Sequence, residues 1–234
     1  MAGHAALAAF LLRTIYPRVS ESRRRAMLRW WSAKLLRILN VSPLIAGDAP
    51  AAHDRGAMIA ANHVSWLDIF LISSVRPTYF IAKDDMLEWG MVGWIAEAAG
   101  TLFIRKNEWR DTARISETVR TALEQGQCVG LFPEGVTTEG DTLLKFHSSL
   151  FQPAVANDAH VHPAAIRYER ADGSLCREVS FRGERTFMES LTLIIDEPAL
   201  VARISFAAPV ETAGTHRREV AAAARGRVAD LLGL

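Results

Sequence analysis

The chain is predicted to be an α/β protein of 234 residues: a single layered domain with a mostly parallel central sheet flanked by helices, preceded by a two-helix N-terminal segment. Three observations carry that expectation. Short apolar runs of strand length alternate with stretches of helical periodicity from about residue 57 to the C-terminus. Half of the residues are hydrophobic, enough to fill a packed core. The length suits one sizeable domain better than two small ones.

Residues 4–16 and 21–39 read as two helices broken around Pro17. In the second, Met27, Trp31, Leu35 and Ile38 or Leu39 recur at helical spacing, with Leu28 and Trp30 beside them. Residues 43–55 are rich in Ala, Gly, Pro and Asp and read as a connection. The apolar run 57–61 is then a buried-strand candidate that ends at Asn62-His63, and a helix opens at about residue 65 and runs to about 74. Further strands are expected at 78–82, 102–104, 128–132, 163–168, 178–181 and 199–206. Further helices are expected at 89–99, 111–125 (closed by Gly126), 151–157, 188–195 and 217–232. The domain division that follows is an amphipathic helical segment over residues 1–40 and the main domain over 41–234.

The net charge of +1 conceals an asymmetry. Residues 1–40 carry eight basic side chains against Glu21 alone, which makes that segment +7 and leaves −6 for the rest of the +1 total. A Trp-containing apolar stripe with basic flanks fits a helix lying in the headgroup layer of an anionic membrane; packing on the chain's own domain with a solvated basic face is the alternative. The apolar run near residues 5–12 is cut by Arg13 and falls short of the ~20 residues that a spanning helix needs. Its basic cluster follows rather than precedes it, the reverse of a signal peptide. Cys128 and Cys176 are the two cysteines, far apart and in no metal-ligand spacing, which points to a reducing, cytoplasmic setting without a disulfide framework. His160 and His162 lack an evident third ligand, so no metal site is expected.

Four blocks carry chemistry. In Asn62-His63-Val64-Ser65-Trp66-Leu67-Asp68, an aspartate in the first helical turn can fold back onto the imidazole N–H, fixing the tautomer and freeing the other nitrogen to take a proton from a hydroxyl. Alone the spacing is weak, because seven histidines and eleven aspartates give about 0.3 such pairs by chance; the competing reading is a strand-to-helix turn with Asp68 as a cap. In Gly100-Thr101-Leu102-Phe103-Ile104-Arg105-Lys106, a short strand delivers two cations that either bind a phosphate, with Arg105 as a bidentate fork, or simply face solvent. In Phe132-Pro133-Glu134-Gly135-Val136-Thr137-Thr138-Glu139-Gly140, Pro133 removes an N–H, Gly135 permits a tight turn, and the hydroxyls and amides that follow can orient a substrate. The fourth block, residues 161–166, is an extended X-Pro entry to a core strand around Pro163.

In order and approximate spacing these blocks resemble the glycerolipid acyltransferases, whose type member acylates 1-acylglycerol-3-phosphate. Asn62, His63 and Asp68 match NHxxxxD; Gly100, Phe103, Ile104 and Arg105 match GxxFIxR; Phe132, Pro133, Glu134 and Gly135 match FPEGT; and Pro163 matches the apolar strand loosely. The resemblance covers about residues 57–210. It implies that His63 is the general base and Asp68 its orienting carboxylate. Asn62, Arg105, Lys106, Glu134, Gly135 and Thr137 would bind or shape the acceptor, with Arg105 on a phosphate. The reaction it implies moves a fatty acyl group from acyl-CoA or acyl carrier protein to the free hydroxyl of a lysophospholipid, most simply 1-acylglycerol-3-phosphate, or of another lysolipid such as lyso-ornithine lipid. No cofactor, metal, covalent acyl-enzyme or nucleic-acid partner is implied. The implied place is peripheral, on the cytoplasmic face of the cell membrane. Val136 stands where the family has threonine, and Ser148 and Ser149 follow Lys145-Phe146-His147 where a glycine is usual, so the acceptor headgroup is the open question. A non-catalytic, membrane-peripheral lipid-binding protein is the alternative from another class. A serine hydrolase is disfavoured because no Gly-x-Ser-x-Gly elbow occurs.

Overall fold

The computed structural model describes residues 18–51, 56–83, 101–104, 112–183 and 185–234. In chain order its elements are α1 (Glu21–Ile38), β1 (Val41–Ala46), β2 (Met58–Ala61), α2 (Leu67–Val75), β3 (Tyr79–Lys83), β4 (Leu102–Ile104), α3 (Thr112–Glu124), β5 (Val129–Leu131), a 3-10 turn (Ser148–Phe151), α4 (Gln152–Ala156), β6 (Val161–Arg170), a second 3-10 turn (Arg177–Val179), α5 (Phe187–Asp196), β7 (Leu200–Phe206) and α6 (Arg217–Leu232). The strands form one seven-stranded sheet in the order β1-β7-β6-β2-β5-β3-β4. All neighbours are parallel except β6 and β7, so the predicted mostly parallel sheet is the one observed.

Period-two alternation along the strands splits the core into two layers. Ile59, Ala61, Ala164, Ile166, Tyr168, Ala202 and Ile204 face the side covered by α1, α2 and α5. Met58, Ala60, Val129, Val161 and Ala165 face the side covered by α3, α4 and α6. Four-residue β2 is buried on both faces, which explains why it reads as a continuous apolar run. It lies at the centre of the sheet, and its carboxyl end releases the chain at Asn62-His63.

Three expectations need correction. Residues 43–55 are not all connection, because Val41–Ala46 forms strand β1. Pro43 is tolerated there since β1 is an edge strand, paired among the described strands with β7 alone. Residues 178–181 are not a strand: the 3-10 turn ends at Val179, and the N–H of Phe181 goes to the Val64 carbonyl, 2.9 Å away, rather than to the sheet. In α1 the inward face is Leu28, Ser32 and Leu36, one residue out of phase with the stripe read from sequence, and Trp30 and Ile38 are exposed. That inward face packs on α2, and Glu21 accepts a 2.7 Å hydrogen bond from the Tyr79 hydroxyl, so α1 shares the core of residues 41–234. The expected helices at 4–16 and 89–99 lie outside the described residues.

One packing feature bears directly on the site. A Cβ on Gly130 would come within 2.4 Å of the Phe80 ring and 2.7 Å of the Thr78 methyl. Phe80 therefore lies flat across a bare stretch of β5 and stacks on Phe132, ring centroids 5.5 Å apart. Gly130→Ala should force that ring aside and lower the thermal melting point, at the ~1–3 kcal/mol typical of overpacking. Thermal unfolding followed by circular dichroism checks this, and an unchanged midpoint would mean that the ring has room to yield.

Candidate active site

The site grows from the carboxyl ends of neighbouring parallel strands, where α/β sheets present their reactive groups. β2 leads into residues 62–66, and β5, paired beside it, leads into residues 132–140. Asp68 sits in the first turn of α2 and reaches back over its own entry loop. Its Oδ2 accepts hydrogen bonds from Nδ1 of His63 at 2.8 Å, the Val64 N–H at 2.7 Å and the Ser65 N–H at 2.9 Å. Its Oδ1 accepts from the Tyr168 hydroxyl at 2.7 Å. The pairing of His63 with Asp68 is present, and the same carboxylate satisfies the loop's N–H groups; the competing reading of Asp68 as a helix cap does not hold, because the N-terminus of α2 carries no side-chain cap bond. With Nδ1 carrying its hydrogen towards Asp68, the lone pair of the neutral ring is on Nε2. That nitrogen has no hydrogen-bond partner among the described residues. The His63 side chain is 21% exposed while that of Asp68 is fully buried, an arrangement that keeps the orienting group dry and the acting group reachable.

The face of the imidazole is fixed as firmly as its edge. Its ring stacks on Phe132 at 3.9 Å between centroids and 9° between planes. Three loops are then stitched around it. The carbonyl of His63 accepts from the Thr138 N–H at 2.8 Å, the Val64 carbonyl from Phe181, and the Thr138 carbonyl from the Ser180 hydroxyl at 2.8 Å. Trp66 donates its indole N–H to Ser190 of α5, which buttresses the loop from behind. A reciprocal capping box between Thr186 and Glu189 fixes the start of that helix.

The other residues singled out from sequence divide into three groups. Asn62 is fully buried, and its amide spans the backbone of Ile166, donating to the carbonyl at 2.9 Å and accepting from the N–H at 2.7 Å. Glu134 is also buried, and each of its oxygens takes a backbone N–H, one from His63 and one from Leu144, both at 2.8 Å. Burial is the larger influence on Glu134 and pushes its carboxyl above the usual range, against the lowering effect of those two donors. The Thr137 hydroxyl donates to the Phe181 carbonyl. All three side chains bond to backbone in this structure, a role that sequence alone does not separate from binding or shaping the acceptor site. Gly135 belongs to a second group: it is exposed at a turn with φ of +75°, the conformation that its identity implied. Arg105 and Lys106 form the third. β4 runs parallel to β3 and opens on the same edge of the sheet, but both cations lie outside the described residues.

Sequence reasoning missed Tyr168 and the stacking role of Phe132. The signal for Tyr168 was slight: a phenol on the inward face of a core strand needs a hydrogen-bond partner. Ser65 is fully buried and so is no nucleophile. His160 is exposed and pairs with Glu211 at 3.0 Å, whereas His162 is buried. Cys128 and Cys176 are both buried and unpaired with each other.

Comparison with known proteins fits this geometry. The family model described as Acyltransferase matches residues 43–167. The chain is 34% identical over 206 residues to a lyso-ornithine lipid O-acyltransferase of Pseudomonas aeruginosa, covering 88% of this chain and 78% of that protein. It is 36% identical over 198 residues to a 1-acyl-sn-glycerol-3-phosphate acyltransferase of Neisseria meningitidis, covering 85% and 76%. The fold is similar to the crystal structure of the 1-acyl-sn-glycerophosphate (LPA) acyltransferase PlsC from Thermotoga maritima, with a TM-score of 0.68 at 20% identity over 97% of this chain and 87% of the other. A profile spanning the sheet from β1 into β6, the sequence identities along most of the chain and a motif histidine held by its motif aspartate lead to one statement: the chain belongs to the acyltransferase family.

Proposed function

We propose that this enzyme transfers a fatty acyl group from a thioester donor, acyl-CoA or acyl carrier protein, to the free hydroxyl of a lysolipid. The observation that carries the mechanism is the accessible imidazole edge of His63 opposite a buried, fully hydrogen-bonded Asp68. Nε2 takes the proton of the acceptor hydroxyl as its oxygen adds to the thioester carbonyl. The tetrahedral adduct collapses, the ester C–O bond stays, the C–S bond breaks, and the proton passes from His63 to the leaving thiolate. Asp68 steadies the transient imidazolium without taking the proton, the division of roles familiar from carboxylate–histidine pairs. The acceptor proposed is 1-acylglycerol-3-phosphate, because Arg105 matches the arginine of the family's GxxFIxR block and a guanidinium suits a phosphate. Lyso-ornithine lipid is the second reading: that acceptor names one of the relatives, and a guanidinium holds a carboxylate equally well.

The place of action proposed is a membrane surface met through α1. Its outward face carries Trp30 with Arg23, Arg29 and Arg37 exposed around it, and Lys34 sits 4.9 Å over the Trp30 ring. This is an aromatic anchor among cations, suited to an anionic headgroup layer. No helix among the described residues is long and apolar enough to cross a membrane.

Two experiments test these readings. His63→Ala should lose about 10²-fold or more of acyl transfer from acyl-CoA when assayed against a panel of lysophosphatidate and lyso-ornithine lipid. Near wild-type turnover by that variant would end the general-base reading, and the preferred acceptor in the panel decides between the two substrates. Because α1 packs into the core, its membrane role is best probed by surface changes rather than deletion. Arg23→Gln, Arg29→Gln and Arg37→Gln together should weaken binding to anionic vesicles by about 1 kcal/mol per charge near the surface, with a reduced salt dependence. Vesicle sedimentation that is indifferent to all three, and to Trp30→Ala, would return this face to ordinary solvated surface.

A further inference from the structure

The Tyr168–Asp68 contact joins residues 100 apart, and the sheet is built to make it. The last paired residue of β2, Ala61, lies opposite Ala164 of β6. Beyond that point β6 continues alone on this side, and the side chain of Asn62 extends the pairing by gripping both backbone groups of Ile166. Side chains 164, 166 and 168 share one face of β6, so the next inward position after the clamp is Tyr168. Its ring is buried against the α1–α2 layer, and its hydroxyl arrives at Asp68 Oδ1. Burial, and then the Asp68 carboxylate beside it, push the phenol's pKa well above the usual range, so it donates throughout the neutral pH range.

We infer that Tyr168 is a positioning residue for acyl transfer: by occupying Oδ1 it locks the Asp68 carboxylate with Oδ2 towards Nδ1 of His63. This rests on the reading of His63 as the base. The three donors to Oδ2 all come from the one short loop that carries the imidazole. Tyr168 is the one contact among the described residues that ties Asp68 to a distant strand. It also has an electrostatic consequence. A donor on Oδ1 draws negative charge away from Oδ2 and so moderates the carboxylate's grip on the protonated ring. Removing it should both loosen the dyad and make His63 harder to deprotonate.

Tyr168→Phe deletes the donor and keeps the ring. It is expected to lower kcat about tenfold with KM nearly unchanged, and to move the acidic limb of the kcat/KM profile to higher pH. In an Asp68→Asn background the same change should cost almost nothing further, since the residue acts through that carboxylate. A merely structural tyrosine would shift the melting point but leave the limb in place and add its loss independently of Asp68. If Tyr168→Phe does not fold, 3-fluorotyrosine installed at position 168 serves instead. It preserves the shape, donates more strongly and should move the limb the opposite way. Wild-type kcat with an unmoved limb overturns the inference. His63→Ala assayed in parallel separates the two claims: an active His63→Ala removes both, whereas an inactive one beside an indifferent Tyr168→Phe removes only this one.

Discussion

A buried carboxylate with four hydrogen bonds is the constraint around which this site is arranged. Taking Asp68 out of water is costly unless every lone-pair direction finds a donor. The chain meets that demand from three sources: two N–H groups of its own loop, the His63 ring and Tyr168. The first turn of α2 supplies a favourable field as well, because the positive end of a helix dipole lies there. Each donor also fixes something functional. The loop donors set the backbone around His63, the ring contact sets its tautomer, and Tyr168 ties the assembly to the sheet. Satisfying the charge and orienting the imidazole are thus one structural requirement.

Glu134 shows the same economy with another outcome. It too is a buried carboxylate at the carboxyl end of a central strand, but both of its oxygens face backbone N–H groups. Its partners are His63 on the neighbouring strand's exit and Leu144 further along its own loop. It therefore binds the two loops to each other, without touching the imidazole's free edge. The raised pKa fixes the sign of its pH response. The folded state holds this proton more tightly than the unfolded chain, so the burden of burying its charge grows as pH rises through and above the usual glutamate range. The two backbone donors are what makes the charged form tolerable.

Much of this was legible in the sequence, and the parts that were not share a cause. Strand β2, helix α2 and the His63–Asp68 pair could be read because they lie within one short stretch, where periodicity and a local turn decide the structure. α6 was legible over its full length for the same reason. By contrast, Asn62 and Glu134 looked like ligands because the local pattern shows only that a polar residue sits at a strand end. What it bonds depends on a second strand far away in sequence, Ile166 for one and the His63 loop for the other. Tyr168 was invisible for that reason too. The phase of α1 was missed by one residue because Trp30, Trp31 and Leu35 allow more than one apolar stripe, and packing on α2 made the choice. Strand β1 was hidden by Pro43, a residue excluded from central strands but harmless on an edge.

The separation between buried and exposed groups has a consequence for which parts of the site can vary. Side chains around the dyad are buried and hydrogen-bonded: Tyr168 to Asp68, and Asn62 and Glu134 to backbone groups. A change in any of them leaves an unsatisfied partner in the interior, so each is tied to its present chemistry. Val136, where the family motif has threonine, is 57% exposed at the turn beside Gly135 and belongs to none of those networks. His147 lies on the same rim, its ring within 3.7 Å of where a Gly135 side chain would begin. Substitutions on this rim alter exposed surface while the hydrogen bonds behind His63 stay closed. This rim can therefore vary without disturbing the imidazole's support, because the exposed turn and the buried side chains behind His63 are held by different contacts.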